Sequence, residues 1–183
     1  MKIRNFVLIV VIILVVIGYN NLDLLFPMNH YDTVLKYATI QQIDPLFVMS
    51  VIKTESGFKE EAVSKKSAKG LMQITDDTAN WCAEKIGISN FDTDMLFDAE
   101  TNIRIGTFYL GYLLNRYDGD ISCAAAAYNA GMGNVDKWLK DTTYSKDGKT
   151  IDRTPFGETT AYINKIKFNY KMYNLIYGGK TNE

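Results

Sequence analysis

An unbroken apolar run near the N-terminus constrains the fold of this chain more than any other feature. The run extends from Phe6 to Ile17 and follows the basic residues Lys2 and Arg4. A helix of this length rises about 18 Å, whereas roughly 20 residues are needed to cross a hydrocarbon core. Apolar neighbours as far as Leu25 would extend it to a marginal span. The run has no polar face, which argues against a buried helix in a small domain.

A basic segment followed by a short apolar region is also typical of a secretory signal. No pair of small residues suited to cleavage follows the run, however. We therefore predict an uncleaved signal anchor and linker over residues 1–28, and one exported domain over residues 29–183. The basic N-terminus would stay inside, giving a single-pass membrane protein whose domain is extracytoplasmic, or a secreted protein if cleavage does occur.

The remaining part of the chain has the composition of one globular domain. It holds about 155 of the 183 residues, within the usual range for a single domain. The whole chain is 47% hydrophobic and 22% charged, which is enough to build a core and to cover it. Its formal net charge of −1 excludes the strong positive field of a typical nucleic-acid-binding protein.

Cysteine, histidine and glycine usage limits the chemistry. Cys82 and Cys123 either form one disulfide or remain two buried thiols, and we favour the thiols because Cys123 precedes a run of alanines. His30 is the only histidine, which excludes His-rich metal sites and leaves nucleophile–histidine mechanisms a single candidate. Gly131 and Gly133 have neither a third glycine nor a preceding strand, so no dinucleotide loop is predicted. We expect no cofactor and no metal.

The spacing of apolar residues predicts a mainly α-helical domain with at most small β-hairpins. Asp44 and Pro45 are suited to begin a helix that carries Glu55 in its last turn, because Gly57 follows. The hairpins are expected near residues 60–75 and 141–154. The predicted helices cover residues 29–42, 45–55, 75–86, 98–114, 121–129, 135–140 and 157–177.

Glu55 is the candidate acid. Cleavage of a glycosidic bond requires a carboxyl group that still holds its proton near neutral pH. Burial behind Phe47, Val51 and Phe58 would disfavour the charged form, as would the negative end of the helix dipole. Both effects raise the pKa, although a glutamate in a last turn is by position alone more often a solvated surface group.

Two further motifs carry polar groups suited to sugars. Gly70-Leu71-Met72-Gln73 joins a conformationally free glycine to an amide that can donate and accept hydrogen bonds. Tyr128 and Asn129 place a phenol and an amide before the helix-ending Gly131. Each motif alone is weak, since Tyr128 by itself fits a core aromatic.

Together these motifs resemble the catalytic domain of the soluble lytic transglycosylases of bacterial cell walls, which are relatives of goose-type lysozyme. The resemblance covers roughly residues 31–177 and implies a lysozyme-like fold. It implies that Glu55, in the Glu-Ser motif with Ser56, is the single acid and base. It also implies that the substrate contacts Ser56, Met72, Gln73, Tyr128 and Asn129.

A later segment, Glu158-Thr159-Thr160-Ala161-Tyr162-Ile163, matches a further motif of that family. The resemblance makes Tyr162 a hydrogen-bond partner of the acid and Glu158 a cleft residue. Thr160 replaces the usual arginine, and Met132 stands where the family commonly has proline, which leaves that turn less constrained.

The resemblance implies peptidoglycan glycan strands as the substrate. Ordinary glycosidases use two carboxyl groups, whereas substrate-assisted enzymes need only one. The other nearby acids, Glu60, Glu61, Asp76 and Asp77, lie in polar runs typical of solvated faces and caps. We therefore expect cleavage between N-acetylmuramic acid and N-acetylglucosamine with a 1,6-anhydromuramic product. A water-using muramidase and a non-catalytic peptidoglycan-binding scaffold remain the alternatives, and any partner in the cell envelope is unknown.

Overall fold

The computed structural model describes residues 5–10 and 22–179, and this part of the chain is helical. Residues 5–10 form a helical segment. The elements that follow are α1 (Leu22–Leu25), α2 (Tyr31–Gln41), α3 (Pro45–Glu55), α4 (Asp76–Lys85), a 3-10 helix (Thr93–Phe97), α5 (Ala99–Arg116), α6 (Ile121–Ala130), α7 (Met132–Leu139) and α8 (Gly157–Tyr177). The prediction of a mainly helical fold is confirmed, while the 3-10 helix was not predicted.

The predicted hairpins are reduced or absent. Between residues 60 and 75 there are only two isolated β-bridges, Val63 with Lys69 and Lys69 with Ile74. The hairpin predicted at 141–154 is wrong, since the structure has turns and bends there. In this loop, backbone N–H groups donate hydrogen bonds to side chains. The Asp147 carboxylate accepts from two of these groups, and the Asp152 carboxylate accepts from another. Such local bonds compete with strand pairing.

The predicted N-terminal anchor lies mainly outside the described residues, because residues 1–4 and 11–21 are not described. No helix in the described ranges is long and apolar enough to cross a membrane. Phe26 is buried, and its ring meets that of Tyr173 edge-on at 5.5 Å. Phe26 is therefore part of the packed core, together with Tyr173 of α8.

Helix α3 lies at the centre of the core. The Asp44 carboxylate caps it by accepting from the backbone N–H of Leu46 at 2.8 Å, and Pro45 occupies the first turn. Seven consecutive residues, 46–52, are buried between α2 and α8. Burying each large apolar side chain contributes about 1.5 to 3 kcal/mol, so this helix is fixed firmly and carries Glu55 at its end.

Helix α6 packs closely against α5 and α8 because its buried face is made of small side chains, from Cys123 to Ala127. Cys82 and Cys123 are free thiols and fully buried. Burial raises the pKa of each to about 12, so both stay protonated. The thiol alternative is confirmed and the disulfide alternative is wrong.

Candidate active site

Glu55 is the last residue of α3. The helix stops there because Ser56 and Gly57 follow, and Gly57 adopts a left-handed φ of 59°. Tyr162 of α8 donates a hydrogen bond from its hydroxyl to Glu55 Oε1 at 2.5 Å. The carboxyl group is therefore held between two helices that are 107 residues apart at this contact.

Helix α8 holds the end of α3 at two further points. Lys165 Nζ donates to the backbone oxygen of Thr54 at 3.2 Å, and Asn169 Nδ2 donates to the Thr54 hydroxyl at 2.9 Å. Residues 162, 165 and 169 are spaced three and four apart and so lie on one helical face. Contacts from one face of α8 therefore fix the position of the C-terminal end of α3 and the orientation of the Glu55 side chain.

The environment of Glu55 makes its carboxyl group a weaker acid than an ordinary glutamate. Burial raises the pKa of its carboxyl from 4.5 to about 7, while the Tyr162 hydrogen bond and the positive charge of Lys165 oppose that rise. The group therefore titrates close to neutral pH. A carboxyl group in this state can both give and take a proton during one reaction.

A cavity of about 420 Å³ opens beside Glu55. A second hollow of about 220 Å³ shares four of its lining residues, so the two form one groove. The shared residues are Gln73, Thr75, Tyr128 and Asn129. The larger cavity is also lined by Glu55, Ser64, Lys65, Lys66, Ala68 and Glu158.

The Gly70–Gln73 turn forms the base of this groove. Gly70 has a φ of 75°, and a Cβ there would lie 2.2 Å from the Leu96 carbonyl oxygen, so only glycine fits. The Met72 side chain is fully buried, and its sulfur would lie 2.4 Å from a Cβ placed on Gly106. Met72 thus packs beneath the groove and does not line it, contrary to the prediction, because the close helix at Gly106 leaves the side chain room there.

Gln73 lines the groove, and most of the hydrogen-bonding capacity of its side-chain amide is used within the protein. Its Nε2 donates to the carbonyl oxygens of Ala62 and Gly70, both at 2.9 Å. The two hydrogens of the amide are therefore used within the protein. Its side-chain oxygen is what remains to accept a hydrogen bond from a ligand.

Tyr128 and Asn129 line the groove from the end of α6. The Tyr128 hydroxyl donates to the Met72 carbonyl oxygen at 2.8 Å, which ties α6 to the turn. Burial pushes the pKa of Tyr128 well above its usual value, so the phenol is neutral. Asn129 Oδ1 accepts from the hydroxyl of Thr159 on α8 at 2.9 Å, leaving its amide hydrogens for a ligand.

Ser56 lies beside Glu55 with its hydroxyl engaged inside the protein. It donates to the Leu71 carbonyl oxygen at 2.8 Å and accepts from the backbone N–H of Phe58 at 3.1 Å. The residue thereby joins the end of α3 to the turn at the base of the groove. This geometry favours a positioning role.

Glu158 and Tyr162 lie one turn apart at the start of α8. Glu158 is exposed and lines the larger cavity. Burial raises the pKa of Tyr162 well above its ordinary value, so its hydroxyl keeps its proton and serves Glu55 as a donor.

The acids at positions 60, 61, 76 and 77 do not line the cavity, and two of them pair elsewhere: Glu60 with His30 and Asp76 with Lys69, both at 3.1 Å.

Several residues that line or support the groove were missed from the sequence. Ser64, Lys65, Lys66 and Thr75 line the groove but lie in a polar stretch with no periodic signal. The buried Asn102 of α5 was also missed. It accepts from the Met72 N–H at 2.8 Å and donates to the carbonyl oxygens of Lys69 and Leu96 at 3.0 and 2.8 Å.

We expect Asn102→Ala to destabilise the domain by about 3 kcal/mol, because three backbone groups would lose their partner while buried. Activity should fall with it, since the base of the groove is no longer held. Urea unfolding of the chain from residue 22 onward measures the effect. The matched control is Asn164→Ala on the exposed face of α8, expected to change stability by less than about 0.5 kcal/mol. Equal stability of the two variants would show that the three hydrogen bonds of Asn102 do not stabilise the domain.

A helical domain with one mostly buried glutamate beside an open groove is the arrangement expected of the lysozyme-like proteins. A family model described as "Transglycosylase SLT domain" matches residues 32–151. The chain therefore belongs to the transglycosylase SLT domain family, which confirms the resemblance of its motifs.

Curated relatives and solved structures agree with this assignment. The chain is 30% identical over 164 residues to the soluble lytic murein transglycosylase of Escherichia coli K12, covering 88% of this chain and 25% of that protein. It is 37% identical over 177 residues to membrane-bound lytic murein transglycosylase C of Yersinia pestis, covering 79% of this chain and 49% of that protein. The chain thus spans between a quarter and a half of these relatives.

Among solved structures, an inactive Glu-to-Gln mutant of lytic transglycosylase Slt from Pseudomonas aeruginosa superposes with a TM-score of 0.73 at 34% identity. The match covers 88% of this chain and 26% of that one. The 70-kDa soluble lytic transglycosylase of E. coli gives a TM-score of 0.75 at 29% identity, over 84% of this chain and 25% of that one.

Proposed function

We propose that this protein is a peptidoglycan lytic transglycosylase. It cleaves the β-1,4 bond between N-acetylmuramic acid and N-acetylglucosamine and leaves 1,6-anhydromuramic acid ends. The observation that carries the proposal is the Glu55 carboxyl group, with a pKa raised to about 7 at the wall of an open groove. The names of the relatives support the reaction class, and the inactive Glu-to-Gln mutant of one relative supports a role for a glutamate.

The reaction needs one proton donor that later becomes the acceptor. Protonated Glu55 gives its proton to the glycosidic oxygen, and the bond from that oxygen to C1 of the muramic acid breaks. The 2-acetamido oxygen of the same sugar bonds to C1 as the leaving group departs. The Glu55 carboxylate then takes the proton of the 6-hydroxyl, O6 bonds to C1, and the acetamido group is released. Glu55 ends protonated and no water is consumed.

The surrounding groups suit this sequence of steps. Tyr162 stays neutral and holds Oε1, so the other carboxyl oxygen is left to face the glycosidic bond. The Gln73 oxygen and the Asn129 amide hydrogens are available to the sugar's hydroxyl and acetamido groups. The intramolecular attack is entropically favoured over capture of a water molecule.

Glu158 favours a second candidate function, because it is the other acid that lines the larger cavity among the described residues. A muramidase would use such a carboxylate to activate water or to form a covalent intermediate. Glu158 is exposed, however, which suits a solvated cleft residue better than a nucleophile.

The deciding experiment is digestion of purified peptidoglycan by the full chain in mild detergent, with the products identified by mass spectrometry. We expect muropeptides lighter than their hydrated forms by one water molecule. Hydrated products with reducing muramic acid ends would instead assign a muramidase. Glycan binding without any product would assign a scaffold.

The membrane anchor over residues 1–28 and the extracytoplasmic location of the domain belong to the same proposal. The apolar run and its basic flank support them, as does the printed name of the membrane-bound relative. Attachment would limit the reach of the enzyme to the part of the wall near the membrane. This location suits local opening of the wall during growth, division or assembly of an envelope-spanning complex.

A further inference from the structure

Two adjacent lysines line the larger cavity of the candidate active site. Lys65 and Lys66 are exposed, and both border this cavity. Among the described residues, no carboxylate lies within 4 Å of either ammonium group. Lys69, a few residues later, differs because it pairs with Asp76 and Asp94 at 3.1 and 3.4 Å. In the described part of the chain, the two cavity lysines therefore keep their charges available to a ligand.

A short hydrogen-bonded turn presents these lysines. The Ser64 N–H donates to the Ala68 carbonyl oxygen at 2.9 Å, and the Ser64 hydroxyl accepts from the backbone N–H groups of Lys66 and Ala68, both at 3.1 Å. The Ser67 N–H donates to the Ser64 carbonyl oxygen at 3.0 Å. Ala68 is buried and anchors the turn. The backbone of Lys65 and Lys66 is therefore already ordered, which lowers the entropic cost of binding a ligand.

The same turn is joined to the base of the groove. The Ala62 carbonyl oxygen accepts from the Gly70 N–H at 2.8 Å and from Gln73 Nε2 at 2.9 Å. The Lys69 N–H donates to the Ile74 carbonyl oxygen at 2.9 Å. These bonds fix the turn relative to Gln73, so a ligand that contacts Gln73 lies beside the two lysines.

Two ammonium groups in a cavity indicate an anionic ligand group, because charged hydrogen bonds to a carboxylate are the strong ones. The sugar rings of peptidoglycan carry neutral hydroxyl and acetamido groups. The anionic charge is borne by the lactyl substituent on O3 of muramic acid. That substituent ends in its own carboxylate when the peptide is absent and leads to the peptide carboxylates when the peptide is present. Since O3 and C1 belong to one ring, a strand placed for cleavage at C1 brings this charge to the cavity.

We propose that Lys65 and Lys66 form a carboxylate subsite that binds the lactyl-borne anion of muramic acid and favours strands that carry it. The subsite rests on the proposed peptidoglycan substrate but not on the form of the product. Glu158 lines the same cavity from α8 and makes no ion pair with either lysine among the described residues. Its like charge disfavours a carboxylate on the α8 side of the cavity and so directs the anion toward the lysines.

The test measures binding of soluble glycan strands by full chains in mild detergent. Each chain also carries Glu55→Gln, so that strands are not consumed. Three forms of the strands are compared: strands with their peptides, the same strands with all carboxylates converted to carboxamides, and strands whose peptides were removed by an amidase. Exposed ion pairs are weak, so we expect Lys65→Gln/Lys66→Gln to raise the Kd for charged strands about three- to tenfold at low salt. The Kd for the amidated strands should not change.

The matched control is Lys146→Gln/Lys149→Gln, which removes the same net charge from another exposed turn. This variant should bind all three forms as the parent does. The difference between the two variants should shrink at high salt, because exposed charges are screened. An increase in Kd for peptide-bearing strands alone would assign the anion to the peptide carboxylates, and an increase for stripped strands alone would assign it to the lactyl carboxylate.

An unchanged Kd for both charged forms would overturn the subsite. An equal increase for the amidated strands, or for the control variant, would overturn it as well, because neither depends on a carboxylate at these two lysines. Failure of the parent to bind any strand would overturn the proposed substrate together with the subsite. The products of peptidoglycan digestion by the chain with Glu55 intact decide the reaction separately.

Discussion

The Glu55→Gln variant is expected to lose turnover of peptidoglycan while still binding glycan strands. Glutamine keeps the shape of the side chain and can accept the Tyr162 hydrogen bond, but it cannot donate a proton to the glycosidic oxygen. General acid–base catalysis contributes about 10²- to 10⁴-fold, so we expect a loss of turnover within or above that range. Release of muropeptides measures turnover, and co-sedimentation with insoluble peptidoglycan measures binding.

The matched control is Glu84→Gln, which neutralises an exposed acid on α4. Its turnover should equal that of the wild type. Retained turnover in Glu55→Gln would remove Glu55 from the proposed mechanism. Loss of both turnover and binding would indicate that the groove has collapsed, which the unfolding experiment below detects.

As the pH rises, the Glu55→Gln variant should become more stable relative to the wild type. The Glu55 pKa is 4.5 in the unfolded chain and about 7 in the folded domain, so the folded state binds the proton more tightly. The stability due to this group is fully present below pH 4.5 and is lost as the pH rises through 7. Between pH 5 and 8.5 the wild type should lose about 2 to 3 kcal/mol relative to Glu55→Gln in urea unfolding. Parallel curves for the two proteins would contradict the raised pKa.

The Tyr162→Phe variant is expected to shift the pH dependence of activity upward. In the free enzyme the first step requires protonated Glu55, so kcat/KM should fall as the pH rises through about 7. The Tyr162 hydroxyl stabilises the carboxylate and thereby lowers the pKa of Glu55. Its removal raises that pKa, and the decline in kcat/KM moves to higher pH. The maximum rate should also fall, because the carboxyl group loses its orientation.

The matched control for this prediction is Tyr170→Phe. Tyr170 lies on the same helix and donates a hydrogen bond to a carboxylate, that of Asp44, at 2.6 Å, but it does not contact Glu55. Its pH profile should match that of the wild type. A decline that stays in place, or moves to lower pH, in Tyr162→Phe would show that the hydrogen bond does not stabilise the carboxylate.

Local sequence patterns identified much of the candidate site. The cap at Asp44 and Pro45, the buried run after it, and Gly57 at its end together predicted the helix that presents Glu55, and the structure has that helix. These signals are local: a cap, a period of 3.6 residues and a stop each act within a few neighbours. The motifs that contain Gln73, Tyr128 and Tyr162 could also be identified from the sequence alone.

Positions across the fold were not visible in this way. Met72 belongs to a groove motif, yet its side chain turns inward because Gly106, from a helix 34 residues later, leaves space for it. Asn102 and Lys65 have no local pattern that reveals them, since one acts through backbone groups of a distant turn and the other through its place on the wall of the groove. Such contacts depend on which elements meet.

The sequence by itself determined most of the helices, the glutamate at the end of α3 and the family to which the chain belongs. Only the tertiary structure decided which atoms of those residues remain free for a ligand and how strongly Glu55 holds its proton. Its pKa depends on burial between α3 and α8 and on a hydroxyl from 107 residues away. Desolvation and long-range hydrogen bonds arise only when distant segments pack together.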